Sequence, residues 1–228
     1  MRPVFRGEAP GQYTRYQDAI GDLEECLGIY CSYCERRLPT SLAVEHVVPK
    51  SREPDRETDW ENFLLGCTNC NSVKGKKLTN ETDFLWPDKD NTFLAFEYQK
   101  GGFVKIARGI SRTNRRKATE IVDLLGLDRH AADGWPAPRA RDKRWQQREA
   151  IWEIAERCKA RLERLGRAED AFDLVLEAAL GYGFFSVWMT VFRGDAEMSR
   201  RLVEAFKGTA ADCFNGDGEA LARPGGRT

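Results

Sequence analysis

Histidine is nearly absent from this chain: 228 residues contain two, His46 and His130. Any imidazole chemistry must run through one of them. No run of 18 apolar residues occurs, which excludes a helical membrane span. The opening stretch lacks the apolar segment of a secretory signal. The expectation is therefore a cytoplasmic protein with reduced thiols and no membrane partner. Net charge is also missing, with 36 Lys and Arg against 36 Asp and Glu. That balance removes any global pull toward polyanions, although it says nothing of local excess. No internal repeat is present. What is present suffices for a packed core: 41% hydrophobic and 11% aromatic residues exclude a disordered chain. The length suits one large domain or two small ones.

Seven cysteines stand out against two histidines. Four form two Cys-x-x-Cys knuckles, Cys31-Ser32-Tyr33-Cys34 and Cys67-Thr68-Asn69-Cys70. In such a knuckle both thiolates reach one metal while nearby backbone N–H groups stabilise their charge. Two knuckles complete the tetrahedral shell of a closed structural zinc site. A redox pair would need one motif at a thioredoxin-like strand–helix junction, a pattern absent here. Cys26, Cys158 and Cys213 are isolated and read as bystanders.

The knuckles are 32 residues apart, more than a compact zinc ribbon needs. The insert carries Leu42-Ala43-Val44-Glu45-His46-Val47-Val48-Pro49, a short β-branched run that predicts a strand over 42–48, ended by Pro49. Residues 50–59 are polar and read as a loop. Residues 62–65 suit a second strand or a helical turn. A helix is expected over 69–77, starting at the second knuckle and carrying Asn71, Lys74, Lys76 and Lys77. The unit is β–loop–β–α with a zinc clip at its base.

This arrangement resembles the HNH (His-Me finger, ββα-metal) endonucleases that carry two such knuckles. The resemblance rests on Glu45-His46 followed by Pro49, on Asn62, and on Cys70-Asn71-x-x-Lys74, in order, across roughly a quarter of the chain. It implies hydrolysis of phosphodiester bonds in DNA. By this resemblance His46 is the base that activates water, its ordinary pKa near neutrality suiting the task. Glu45 and Asn71 supply oxygen ligands to a hard divalent cation, Mg²⁺ or Mn²⁺. Asn62 holds the loop by side-chain-to-backbone bonds, and Lys74 with its neighbours holds phosphate. Two positions depart from the commonest form: Glu45 stands where Asp is more usual, and Asn71 where many members have His.

Beyond the insert, an acidic helix is expected over 17–27. A linker after Lys77 leads to a β-hairpin of 92–98 and 103–107 around Gly101-Gly102. A helix over 112–125 ends at Gly126, and helices follow over 139–165, 169–180 and 197–206, with an apolar segment at 184–192. The expected fold class is α+β: a zinc-clipped ββα-metal core, a hairpin, and a mostly α-helical C-terminal region. The expected divisions are a nuclease domain with its four-cysteine site at 1–80, linker and hairpin at 81–110, a helical partner- or DNA-binding region at 111–210, and a disordered tail at 211–228.

Charge is uneven. Residues 100–148 hold 13 Lys and Arg against 5 Asp and Glu, an excess that suits a phosphate backbone, although charge runs are more often solvated helix faces. His130, beside an expected helix end, reads as a cap or surface residue. The whole layout also resembles the HNH nuclease subunits of Septu and related retron-associated anti-phage systems, through Met1-Arg2-Pro3-Val4, Cys31-Ser32-Tyr33-Cys34-Glu35-Arg36 and Leu125-Gly126-Leu127-Asp128. That resemblance implies a complex with an ABC/SMC-like ATPase. The alternatives are a stand-alone restriction or homing-type HNH nuclease, and a catalytically silent zinc-finger module that binds nucleic acid or protein.

Overall fold

The computed structural model describes residues 1–77, 80–226 and 228. Strands β1 (Leu42–His46) and β2 (Phe63–Cys67) form an antiparallel ribbon, with Glu45 opposite Leu64 and His46 opposite Phe63. Every residue of β2 is buried. The reason is that helix α1 (Ile20–Leu27) packs on the ribbon from one side and helix α2 (Thr68–Lys74) folds back over it from the other. Cys67 ends β2 and caps α2, its sulfur accepting the Cys70 backbone N–H at 3.4 Å. The turn from strand to helix is thus built on a zinc-ligand candidate.

The chain continues through a short helical turn, α3 (Thr92–Ala95), into the hairpin of β3 (Phe96–Gln99) and β4 (Phe103–Ile106). The predicted hairpin is present, but its first residues are α3. Asn91 accepts the Phe93 N–H and starts a turn there, a local bond that competes with strand pairing. Helix α4 (Arg112–Leu125) begins with the Ser111 hydroxyl accepting the Asn114 N–H at 3.1 Å. It ends at Gly126, whose left-handed φ of 58° favours glycine.

Four further helices close the fold: α5 (Arg144–Arg164), α6 (Glu169–Tyr182), α7 (Phe185–Val191) and α8 (Ala196–Ala205). Helix α5 starts five residues later than the pattern predicts. Residues 139–143 instead form a polar approach ending in Asp142, whose carboxylate is bidentate on Arg144.

The C-terminal segment corrects the expectation of a disordered tail at 211–228. Cys213 and Phe214 are buried, and Phe214 bridges Ala220. The Asn91 amide donates to the carbonyls of Cys213 and Leu221, and Arg223 donates to those of Val4 and Pro87. Glycine and aspartate here serve turns rather than disorder. The residues that hold the segment lie more than 120 positions away, so nothing local advertises the packing.

Among the described residues no helix is long and apolar enough to cross a membrane.

Candidate active site and zinc centre

Cys31, Cys34, Cys67 and Cys70 are buried, and their four sulfurs lie within 4.8 Å of one another. The Cys34–Cys67 sulfur separation is 3.7 Å. A zinc–sulfur bond of about 2.3 Å gives a tetrahedral edge of about 3.8 Å, so this cluster suits zinc. Backbone N–H groups of Cys67 and Cys70 point at the Cys31 and Cys67 sulfurs, both at 3.4 Å. Hydrogen bonds from the other three cysteines drive Cys67 toward thiolate, with Arg36 adding to the effect. The remaining thiols are inert by comparison: burial raises Cys26 and Cys158, and pushes Cys213 up to about 12.

His46 ends β1, with its ring edge-on to Phe63 and Tyr16 at centroid distances of 5.3 and 4.8 Å. Its Nε2 lies 2.9 Å from the Glu57 carbonyl oxygen. A carbonyl can only accept, so Nε2 carries the proton and Nδ1 keeps its lone pair. Burial lowers the pKa of His46 below its ordinary value, and the positive charges of Lys50 and Lys74 act in the same direction, against the Glu57 carbonyl. The ring is therefore neutral at pH 7, the state a general base requires.

Asn62 is fully buried and closes the loop that follows β1. Its amide donates to the Val48 and Arg56 carbonyls, and its oxygen accepts the Val48 N–H at 2.7 Å. Arg56 and Glu57 are adjacent, so Asn62 also sets the position of the carbonyl that orients His46.

Glu45 and Asn71 meet above Gly66. A Cβ built on Gly66 would lie 2.9 Å from Asn71 Oδ1 and 2.9 Å from Glu45 Cβ. Asn71 Oδ1 is buried with no hydrogen-bond partner, and such an orphaned acceptor normally finds one. A carboxylate and an unpaired amide oxygen, brought together over a residue without a side chain, fit a hard divalent cation. Burial pushes Glu45 up, while its 2.7 Å ion pair with Lys74 pulls it back.

Lys74 differs from the sequence expectation. Its side chain is buried, with Nζ 2.7 Å from Glu45 Oε1 and donating to the His46 carbonyl at 2.6 Å. It braces the Glu45-His46 dipeptide while also lining the cleft beside them. Lys76 and Lys77, past the end of α2, are exposed.

A cleft of about 230 Å³ opens among Glu45, His46, Pro49, Lys50, Lys74 and Lys76. Asn62 and Asn71 are not among its lining residues. A larger hollow of about 720 Å³, lined by Phe93, Met189 and Ser199 among others, contains no histidine or cysteine and none of the candidate residues. Only the smaller of these two hollows is lined by candidate residues.

Three contributors lie outside the motif. Tyr16 caps the His46 ring and holds Lys50 over its own face at 4.4 Å. Glu57 acts through its backbone. Gly66 was detectable, since a glycine inside a strand marks close approach by a neighbour. Gly66→Ala is expected to force Asn71 and Glu45 apart and cut cleavage at least about 100-fold, as sub-ångström misplacement of reacting groups does. Steady-state cleavage, with circular dichroism to verify folding, tests it; a folded variant with wild-type rates would refute the cradle.

His130 offers no second base. Its Nε2 lies 2.8 Å from the Gly101 carbonyl, its Nδ1 accepts the Ala132 N–H, and its ring stacks on Phe103 at 3.9 Å.

No curated protein matches this chain. Residues 31–77, running from the first knuckle past the end of α2, match the family model of the HNH endonuclease and, with their four-cysteine cluster, fit a zinc-binding nuclease domain of that family.

Proposed function

We propose that the protein is a metal-dependent HNH endonuclease that hydrolyses phosphodiester bonds in DNA. One observation carries the reading: neutral His46, whose Nδ1 is left without a hydrogen bond, borders the same cleft as Glu45, with the unpaired Asn71 oxygen next to Glu45. Glu45 and Asn71 would hold Mg²⁺ or Mn²⁺, whose charge stabilises the phosphorane-like transition state and the leaving oxygen. His46 Nδ1 takes the proton from the attacking water. The Glu57 carbonyl stabilises the imidazolium that forms, and Asn62 keeps that carbonyl in place. Lys74 fixes the strand end on which both Glu45 and His46 ride. The test is cleavage of plasmid DNA by metal-depleted protein with added Mg²⁺ or Mn²⁺. No product with either ion would leave the zinc module as a binding domain only.

The substrate surface we infer is the region around α4, which packs against α2. The side chains of Arg108, Arg112, Arg139, Arg141 and Lys143 are exposed and form no ion pair among the described residues, although the Arg108 backbone N–H donates to Glu97. Further along the chain Arg157, Arg167, Arg200 and Arg201 are tied to Glu or Asp, while Arg161 and Arg164 on α5 are exposed and form no ion pair among the described residues. Unpaired cations around a helix that packs against α2 suit a phosphate backbone entering the cleft. Charge reversal at Arg108 and Arg112 is expected to weaken DNA binding at least about tenfold at moderate salt and to lower the salt slope by about 2. The single-turnover rate on saturating DNA should stay within about twofold. Fluorescence anisotropy and rapid quench measure the two; unchanged affinity would remove this surface from the proposal.

We place the protein in the cytoplasm, as the nuclease of an anti-phage complex with an ABC/SMC-like ATPase. The layout resemblance supports this, and the exposed Leu165, Leu174 and Tyr182 on and beside α6 would be covered by such a partner. Co-purification from cells expressing the neighbouring gene tests it.

A further inference from the structure

The zinc cluster is contacted by residues from well outside its own motif. Arg36 Nη2 donates to the Cys67 sulfur at 3.1 Å and to Asn69 Oδ1 at 2.9 Å, while its Nη1 reaches Gln147 on α5. Arg144, in the first turn of α5 and 74 residues beyond Cys70, donates to the Cys70 sulfur at 3.4 Å. Arg144 is almost fully buried. All five of its N–H donors are engaged: two on Asp142, one on the Leu125 carbonyl, one on the Gly126 carbonyl and one on sulfur. The two carbonyls lie at the C-terminal end of α4, where a helix has acceptors to spare. One guanidinium therefore joins the second knuckle, the end of α4 and the start of α5.

The electrostatics give this arrangement a purpose. Four thiolates around one divalent zinc leave a charge of −2 in a buried site, a costly state unless it is compensated. Charge-assisted N–H···S bonds draw electron density off sulfur, which lowers both its basicity toward protons and its reactivity toward electrophiles. Arg36 and Arg144 serve Cys67 and Cys70, the two ligands that flank the start of α2. That helix carries Asn71 and Lys74. Burial opposes the charge on each arginine, and the neighbouring cysteine sulfurs help restore it, for Arg144 after Asp142.

We propose that Arg36 and Arg144 are functional parts of the zinc site: they set how firmly the metal is held, and through Arg144 the C-terminal helical region keeps the nuclease module metallated. Arg36 and Arg144 are positioning residues in this role, acting through Cys67 and Cys70. The inference concerns the zinc site alone and stands whether or not the cleft cleaves DNA.

The experiment measures zinc release. Purified full-length protein is challenged with excess chelator and, separately, with N-ethylmaleimide, and released zinc is followed with a metallochromic dye. Arg36→Gln and Arg144→Gln are each expected to release zinc about 10 to 100 times faster than wild type, the range for loss of an outer-sphere partner. Arg36→Lys, which keeps the charge, should recover part of the difference. Arg144→Lys should not, because lysine cannot reproduce the five-donor fork. Arg2→Gln is the control for general loosening. Arg2 is likewise buried and donates to carbonyls of Leu27, Phe206 and Lys207, but touches no sulfur. Release rates within twofold of wild type for Arg36→Gln and Arg144→Gln would overturn the proposal. So would equal acceleration by Arg2→Gln at matched stability. If Arg144→Gln does not fold, the half-buried Arg36 pair of variants decides the outcome alone.

Discussion

His46→Ala should lose cleavage by about 100- to 10,000-fold, the range for removing a positioned general base, while keeping its zinc. The loss is expected to be this large because nothing nearby can substitute. Among the described residues Nδ1 of His46 is the ring nitrogen left without a hydrogen bond, since both nitrogens of His130 are engaged. Lys50 is exposed and paired with Glu57 at 2.7 Å, and Lys74 is committed to Glu45 and the His46 carbonyl. Glu45, the remaining candidate base, borders the cleft but is braced by Lys74. Truncating the ring also removes its edge contacts to Phe63 and Tyr16 and leaves the Glu57 carbonyl without its donor. A stability loss of about 1–3 kcal/mol follows, small enough to leave the protein folded at 25 °C. Zinc content should be unchanged because the ring lies at the far end of β1 from Cys67: Leu42, not His46, is the residue opposite Cys67. Cleavage is to be followed in single turnover, with dye-measured zinc and a thermal melt on the same sample. A folded, zinc-loaded His46→Ala protein that cuts at the wild-type rate would end the assignment of His46 as base.

How much of this was readable beforehand depended on distance along the chain. The β1–loop–β2–α2 order, the strand carrying Glu45-His46 and the helix carrying Asn71 follow from short patterns, because each is set by neighbours within a few residues. Helix α4 is the clearest case: its 112–125 span and its stop at Gly126 match the structure, since the apolar period and the glycine are both local. Lys74 is legible only in part. Its position in the motif is visible, but its buried ion pair with Glu45 depends on α2 folding back across the ribbon. Arg144, Tyr16 and the packed tail were not legible for the same reason at longer range. Arg144 meets Cys70 across 74 residues and Asn91 meets Leu221 across 130. No periodicity or spacing encodes such a pairing; only the assembled core brings it about.

Cys67→Ala, or exhaustive zinc removal, should have the largest effect on the fold. Cys67 ends β2, caps α2 and lies at the centre of the sulfur cluster, taking an N–H from Cys70 and another from Arg36. Its loss leaves three ligand thiols without their fourth and the Arg36 guanidinium without its sulfur acceptor in a buried site. Structural zinc contributes about 10–16 kcal/mol of apparent binding free energy at pH 7, against a total stability of about 5–15 kcal/mol for a typical domain. Loss of even half that contribution is comparable to everything holding the module together. The expectation is a fall in melting temperature of at least about 10 °C, taking about 2–4 °C per kcal/mol for a chain of this size, with loss of zinc from about one equivalent per chain to none. Cleavage should vanish with it. Asn71 sits one helical turn from Cys67, and Glu45 is held in place by the ribbon that Cys67 terminates, so the site cannot outlast its clip. Circular dichroism melts of wild type, Cys67→Ala and chelator-treated protein, with zinc measured on each, test the chain of dependence. A Cys67→Ala protein that melts within a few degrees of wild type would show that the hydrophobic core holds the ββα unit without metal. Such a result would also remove the reason for two arginines to attend these sulfurs.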